Sequence, residues 1–222
     1  MKSSDISLKK KLRHHCRELY IDFMKSQTTQ YNTILANVTR HITLSTEERK
    51  YFCTLLRVKK IRKRQYVLQA GDVSYFETFV NNGCLRAYYI DDDGNERIVQ
   101  FALEGWWIGD MTSFSTGLPA KLTIDAMEDS EILQIEKTDF ELLLKHIPKF
   151  ERFFRILLTN AFSAHQHRIL SYLSSTAEER YVELRTKYPG FEQRIPLRHI
   201  ASYLGVTPEF LSRMRKRLTK KK

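Results

Sequence analysis

The hydrophobic period of this chain changes twice, and that change limits what it can fold into. From about residue 57 to 136, apolar residues recur at every second position in short runs. The segments 65–69, 76–80, 84–90, 97–102, 122–126 and 132–135 read as strands. Turn residues separate them, most clearly Asn81-Asn82-Gly83 and Asp91-Asp92-Asp93-Gly94-Asn95. Short strands so spaced make a small barrel, roll or sandwich. On either side the period is helical. Ser45 and Glu48 form a capping box ahead of an apolar face of Tyr51, Phe52, Leu55 and Leu56. Thr138 to Glu141 opens a short helix through His146, and Pro148 opens a long one to about 174.

The long helix is the second constraint. Some 25 residues at 1.5 Å each span about 37 Å, more than a module of this size covers alone. Phe150, Phe153, Phe154, Leu157, Ala161, Ala164, Arg168 and Tyr172 fall on one stripe, widened by Leu158, Phe162, His165 and Ile169. Such a helix crosses between modules, meets a second copy of itself, or does both. The expected dimer face is Phe154, Leu157, Ala161, Ala164 and Arg168.

Charge follows the same division. The net charge of +11 is made of +11 over residues 1–71, −9 over 72–131, +2 over 132–190 and +7 over 191–222. The basic C-terminus can meet a polyanion, whereas an acidic central module is repelled by one. No run of 18 apolar residues suggests a membrane span. Three scattered cysteines, Cys16, Cys53 and Cys84, suit a reducing cytoplasm better than a disulfide framework.

The most informative stretch is 195–218. Residues 195–204 make one short helix, Gly205-Val206 a tight turn, and residues 207–218 a second helix with Thr207 as cap and Pro208 at its first position. Ala201 is small where two helices cross, and Ile200, Leu204, Val206, Leu211 and Met214 supply the seam. This is a helix-turn-helix pattern. Its free face carries Thr207, Glu209, Ser212, Arg213, Arg215, Lys216 and Arg217. In a major groove, Arg213 can pair with guanine, Glu209 can accept from cytosine, and the remaining cations meet phosphates.

A β-roll, a long helix and a terminal helix-turn-helix together resemble the cyclic-AMP receptor protein (Crp/Fnr) family of bacterial regulators, from about residue 32 to 222. The likeness rests on segments 66–72, 80–86, 108–111 and 200–207, and Gly105-Trp106-Trp107-Ile108-Gly109-Asp110 is similar to the Bacteroidetes-type branch. The resemblance implies a cytoplasmic homodimer joined through the long helix. It also implies a two-fold-related site on double-stranded DNA and RNA polymerase as a further partner. It places Thr207, Glu209, Ser212 and Arg213 at recognition-helix positions. Two departures stand out. The family's nucleotide cassette has a Gly-Glu pair followed by Arg-Ser, where this chain has Gly109-Asp110 and Ala120-Lys121. A cyclic phosphate favours the fixed fork of arginine over a lysine point charge, so the degenerate cassette argues against cyclic AMP, and no cofactor is assigned. Gly109, Asp110, Lys121 and Trp107 are the expected effector pocket. The family's β-hairpin wing also has no counterpart after residue 218.

No histidine lies between 42 and 145, so a histidine-ligated metal enzyme on this barrel is excluded, and no hydrolase or P-loop motif is present. The expected fold is α+β: a flexible basic extension over 1–30, a cyclic-nucleotide-binding-like β-roll over 31–147, a dimerisation helix over 148–174, and a winged-helix-like domain without its wing over 175–222. The expected function is sequence-specific DNA-binding transcription regulation, not catalysis. The alternative is a small-ligand or protein-binding roll whose basic C-terminus holds nucleic acid non-specifically. An affinity for duplex DNA that depends on both salt and sequence separates the two.

Overall fold

The structure, a computed structural model, describes residues 30–220. The basic extension expected over 1–30 therefore lies almost wholly outside the described residues. Among the described residues, eight strands form two antiparallel four-stranded sheets. One has the order β1 (Leu56–Ile61), β8 (Ser130–Glu136), β3 (Phe76–Asn82), β6 (Trp107–Ile108). The other runs β2 (Tyr66–Leu68), β7 (Thr123–Ala126), β4 (Leu85–Ile90), β5 (Glu96–Ala102). Two strands go beyond the six read from sequence. In β1 the adjacent Lys59 and Lys60 interrupt the alternation, and β6 is only two residues long.

The helices are α1 (Asn32–Thr39), α2 (Thr46–Thr54), α3 (Met111–Thr116), α4 (Lys137–His146), α5 (Lys149–Ser174), α6 (Ala177–Lys187), α7 (Phe191–Arg194), α8 (Leu197–Leu204) and α9 (Pro208–Lys220). The capping box forms at α2: Glu48 N–H donates to Ser45 Oγ at 3.2 Å, and Ser45 N–H donates to Glu48 at 2.7 Å. At α6 the same device uses Thr176 and Glu179. No helix among the described residues is long and apolar enough to cross a membrane.

The period-two pattern sorts side chains between three cores. Val80, Leu85, Ile108, Ile124 and Ile132 fill the space between the sheets. Phe79, Leu133 and Ile135 point the other way and meet Ile34, Val38, Phe52, Leu143, Phe150 and Phe153. On the outer face of the second sheet, Cys84, Tyr88, Ile98, Phe101 and Met127 share a core with Tyr181, Phe191, Ile200, Leu204, Leu211 and Met214. Helices thus cover both outer faces of the roll, and the helix-turn-helix is one of the covers. Cys84 is fully buried, and burial pushes its thiol up to about 12, which makes it an inert packing group.

Gly83 ends the β3–β4 turn at φ +99°, where a Cβ would lie 2.2 Å from Ser130 Oγ and 2.8 Å from Ser130 Cα. Gly71, at φ +96°, has open space around it. Gly71→Ala is expected to cost about 1–3 kcal/mol from backbone strain alone. Gly83→Ala carries the same strain plus about 1–3 kcal/mol of overlap, so its thermal midpoint falls further. Equal midpoints would show that the β3–β4 turn is not closed as described.

Candidate nucleic-acid interface

Local chemistry builds the helix-turn-helix as its sequence indicates. Gly205 ends α8 in the left-handed region at φ +69°, and Val206 N–H returns to Ala201 O at 3.0 Å. Thr207 Oγ1 accepts from Phe210 N–H at 3.2 Å, and Pro208 opens α9. Ala201, Ile200, Leu204, Leu211 and Met214 are buried at 3% exposure or less, so the seam is closed, with Val206 half-buried beside it. Of the expected DNA-facing residues, Thr207, Glu209, Arg213, Lys216 and Arg217 are exposed. Ser212 and Arg215 are half-buried, and Arg215 lies 3.4 Å from Glu192 on α7. Five of the seven therefore share an open face, while Arg215 is already engaged with the domain's own acid.

Helix α8 is seated on the roll by a buried charge cluster. Arg86 on β4 is paired in register with Asp125 on β7, and both side chains are buried. Arg86 Nε and Nη2 donate to the two Asp125 oxygens at 2.7 and 2.8 Å. The guanidinium also reaches Glu96 on β5, stacks 4.3 Å over Tyr88, and meets Nδ1 of His199 on α8 at 3.0 Å. Burial, then the charges of Arg86 and Arg198, push His199 down to about 4, although Glu96 and Asp125 pull the other way. Its imidazole is neutral at pH 7 and accepts from Arg86. Ser202 adds two backbone bonds, donating to Glu96 O at 2.7 Å and accepting from Ile98 N–H at 3.1 Å. Arg168 of α5 donates to Ile98 O at 3.0 Å and Tyr203 O at 3.3 Å, with a third bond to Val99 O.

Three residues of the expected dimer face are engaged within the chain, Arg168 first. It is spent within the chain, tying α5 to β5 and α8. Phe154 and Leu157 also turn inward, onto the core beneath α5. Phe154 packs on Phe140 and Trp107 at 4.6 and 5.6 Å. Ala161 and Ala164 remain exposed. The open apolar stripe of α5 is the neighbouring one: Leu158, Phe162, His165, Ile169 and Leu173, with Phe162 at 63% and Leu173 at 80% exposure.

Of the four expected effector residues, Gly109, Asp110 and Lys121 come together at the Asp110 carboxylate, and Trp107 lies apart. Asp110 caps α3 by accepting from Ser113 N–H at 3.0 Å. Its other oxygen accepts from Lys121 and Leu122 N–H at 3.0 and 3.2 Å. The carboxylate thus takes up both amides. Lys121 itself is exposed. Gly109 faces the Glu77 carboxyl, which burial and then the Asp110 charge push up to about 8; its Oε1 has no partner. Trp107 sits on the far side, edge-on to Phe79 and donating to Asn37 at 3.3 Å. A buried carboxylate beside a second carboxyl, without a guanidinium, does not fit a cyclic phosphate.

Sequence reasoning missed Arg86, Asp125 and His199. Opposite charges inside two otherwise apolar strands were the available signal. Two outcomes test the cluster. Arg86→Met leaves Asp125 buried and unpaired, so stability falls by about 3–5 kcal/mol in urea melts. A lowered histidine pKa means that undocking takes up a proton. Docking is therefore fully present above the unfolded value near 6.5 and weakens as pH falls toward 4. The protection of the Ile98 amide, its exchange rate taken relative to an unprotected amide at the same pH, should fall over that window, and His199→Gln should flatten the dependence.

Comparison with known proteins agrees with this architecture. Residues 58–146 match the family model of the cyclic nucleotide-binding domain. The regulatory protein HlyX of Actinobacillus pleuropneumoniae is 28% identical over 203 residues, covering 85% of this chain and 83% of its own. The fumarate and nitrate reduction regulatory protein of Vibrio cholerae is 29% identical over 177 residues, covering 74% and 69%. These relatives are regulatory proteins rather than enzymes. In fold, the chain is similar to FixK2 of Bradyrhizobium japonicum, with a TM-score of 0.66 at 20% identity, covering 75% of this chain and 85% of that one. A cyclic nucleotide-binding roll followed by a seated helix-turn-helix, in a chain with these relatives, is similar to the regulators of the Crp/Fnr family.

Proposed function

We propose that this protein is a homodimeric transcription regulator that reads a specific DNA sequence with α9. The carrying observation is the two-sidedness of that helix. Its apolar side is closed against α8 and the roll, while Thr207, Glu209, Arg213, Lys216 and Arg217 stand in solvent. The N-terminal residues of such a helix meet base edges, and its later cations meet phosphates. On this reading the roll over 31–147 is the sensor, 148–174 the coupling helix and 175–222 the reading domain. An effector of the roll, on the same reading, is a molecule other than cyclic AMP, because Asp110 occupies the cassette's amides.

Dimerisation is assigned to the open stripe Leu158, Phe162, His165, Ile169 and Leu173, with Ala161 and Ala164 at its margin. A long exposed apolar stripe on a helix is costly in a monomer and suits a second copy. A change in how two such helices pair alters the spacing of the two reading helices, and this is the coupling we assign. RNA polymerase is the further partner that a regulator of this kind engages.

Two outcomes check the proposal. On duplexes enriched by the protein from a random pool, Arg213→Ala should cost about 1–3 kcal/mol and relax one base position, while Lys216→Gln weakens all sequences alike. If the full chain enriches no sequence and shows no salt-dependent complex, the DNA reading fails. In sedimentation, Phe162→Asp should weaken the dimer about tenfold or more. Wild-type protein that sediments as a monomer at micromolar concentration contradicts the dimer.

A further inference from the structure

The rest of the chain does not treat the cations of α9 alike. Arg213, Lys216 and Arg217 are exposed, and among the described residues none of them has a carboxylate partner. Arg215 is half-buried, and its Nε lies 3.4 Å from Glu192 Oε1. At about 100° per residue, Arg215 leaves the flank of α9 rather than the face of Glu209, Arg213 and Lys216. A helix about 10–12 Å across nearly fills a major groove about 12 Å wide, so its flanks meet the phosphate walls. A flanking arginine is therefore placed for phosphate, yet here a carboxylate of the same chain already occupies it.

Glu192 is fixed in that position by other groups. Phe191, next to it in α7, is 3% exposed and packs edge-on to Phe101 at 5.0 Å, which ties the short helix to the roll. Tyr181 of α6 donates its hydroxyl to Glu192 Oε1, and Arg185 Nε lies 3.2 Å from Oε2. Tyr181 is 2% exposed, and burial, then its bond to Glu192, push its phenol up to about 12, so it stays a donor at neutral pH. The Glu192 side chain is 21% exposed and that of Arg215 41%. The acid is thus the fixed partner and the arginine the movable one. When Arg215 leaves, Glu192 keeps Tyr181 and Arg185, so no charge is stranded.

We propose that Glu192 is a specificity-determining residue: its carboxylate withholds Arg215 from unmatched DNA and yields it to a phosphate of the groove wall once α9 is seated on its own sequence. A phosphate contact strengthens binding to all sequences alike, so a cation engaged on unmatched DNA erodes discrimination. Seating requires base edges that suit Glu209 and Arg213, and only a seated helix brings the groove wall to Arg215. The exchange is carboxylate for phosphate on one guanidinium, and a pair this exposed is weak enough to yield. A purely structural role, fastening α7 to α9, predicts a different result.

The inference rests on the DNA reading above, and the experiment separates the two. A duplex enriched from a random pool by the full chain is compared with a scrambled duplex of the same length and composition. Affinity is measured between about 50 and 200 mM salt for wild type, Arg215→Gln, Glu192→Gln and the double variant. Each phosphate contact contributes about 0.9 to the slope of log affinity against log salt. Arg215→Gln should flatten the slope on the enriched duplex by about 0.9 and leave the scrambled slope as it is. Glu192→Gln should tighten the scrambled duplex about two- to fivefold, the range of one exposed ion pair, and change the enriched duplex little. Adding Arg215→Gln to Glu192→Gln should remove that gain. Arg215→Gln decides by itself if Glu192→Gln does not fold. Equal loss of slope on both duplexes shows that Arg215 is never withheld and overturns the proposal, while the DNA reading stands. Unchanged slopes on both overturn it too, and a lower thermal midpoint then assigns the pair to fastening α7. If wild type enriches no duplex, the DNA reading falls and this inference with it.

Discussion

The guanidinium of Arg86 is where three strands of the roll and the first helix of the helix-turn-helix meet. It draws Asp125 and His199, both buried, and Glu96, at the solvent edge, around one point. Removing the reading domain would expose this cluster together with Cys84, Tyr88, Ile98, Phe101 and Met127. Docking is therefore not a loose association of two modules through a linker. It is the closing of a core whose halves come from residues 84–127 and 181–214. A buried ion pair need not add net stability over an apolar one, but it admits few alternative geometries. Here that fixes the angle at which α8, and so α9, leaves the roll.

The long helix inherits its two roles from the same arrangement. Its N-terminal part, through Phe150 and Phe153, completes the core beneath the first sheet. Near its C-terminal end, Arg168 and Tyr172 join α5 to α8 and β5. Between these anchors the helix presents an apolar stripe to solvent. The long helix is thus hydrogen-bonded directly to the seat of the reading domain. Such coupling requires a second copy on the stripe and a bistable pairing between the two copies.

Much of the outline was legible because it is local. Gly205, Thr207 and Pro208 specify their turn and helix start within four residues, and Ser45 with Glu48 specifies another. The covering of both sheet faces was less visible. Val80 and Phe79 are both apolar and adjacent, and only the fold shows that one enters the roll while the other meets helices. Which face of α5 the chain covers itself was hidden for a related reason. Two apolar stripes lie side by side on α5, and periodicity places residues on stripes without saying which stripe the chain covers itself. The cluster at Arg86 was hidden by distance, with partners 39 and 113 residues away. The expectation of an acidic roll is an average over residues 72–131, and the basic edge strand lies just before them.

The symmetry of the DNA sequence that the protein selects tests the account most directly, because it depends on the seated reading helix and on the dimer together. Enrichment from a random duplex pool, followed by sequencing, should yield two inverted copies of one short motif. Their centres should be about one helical turn, roughly 34 Å, or a small multiple of it apart. A single unpaired motif, or direct repeats without a two-fold axis, would contradict the arrangement of two chains through α5 that presents α9 to successive grooves.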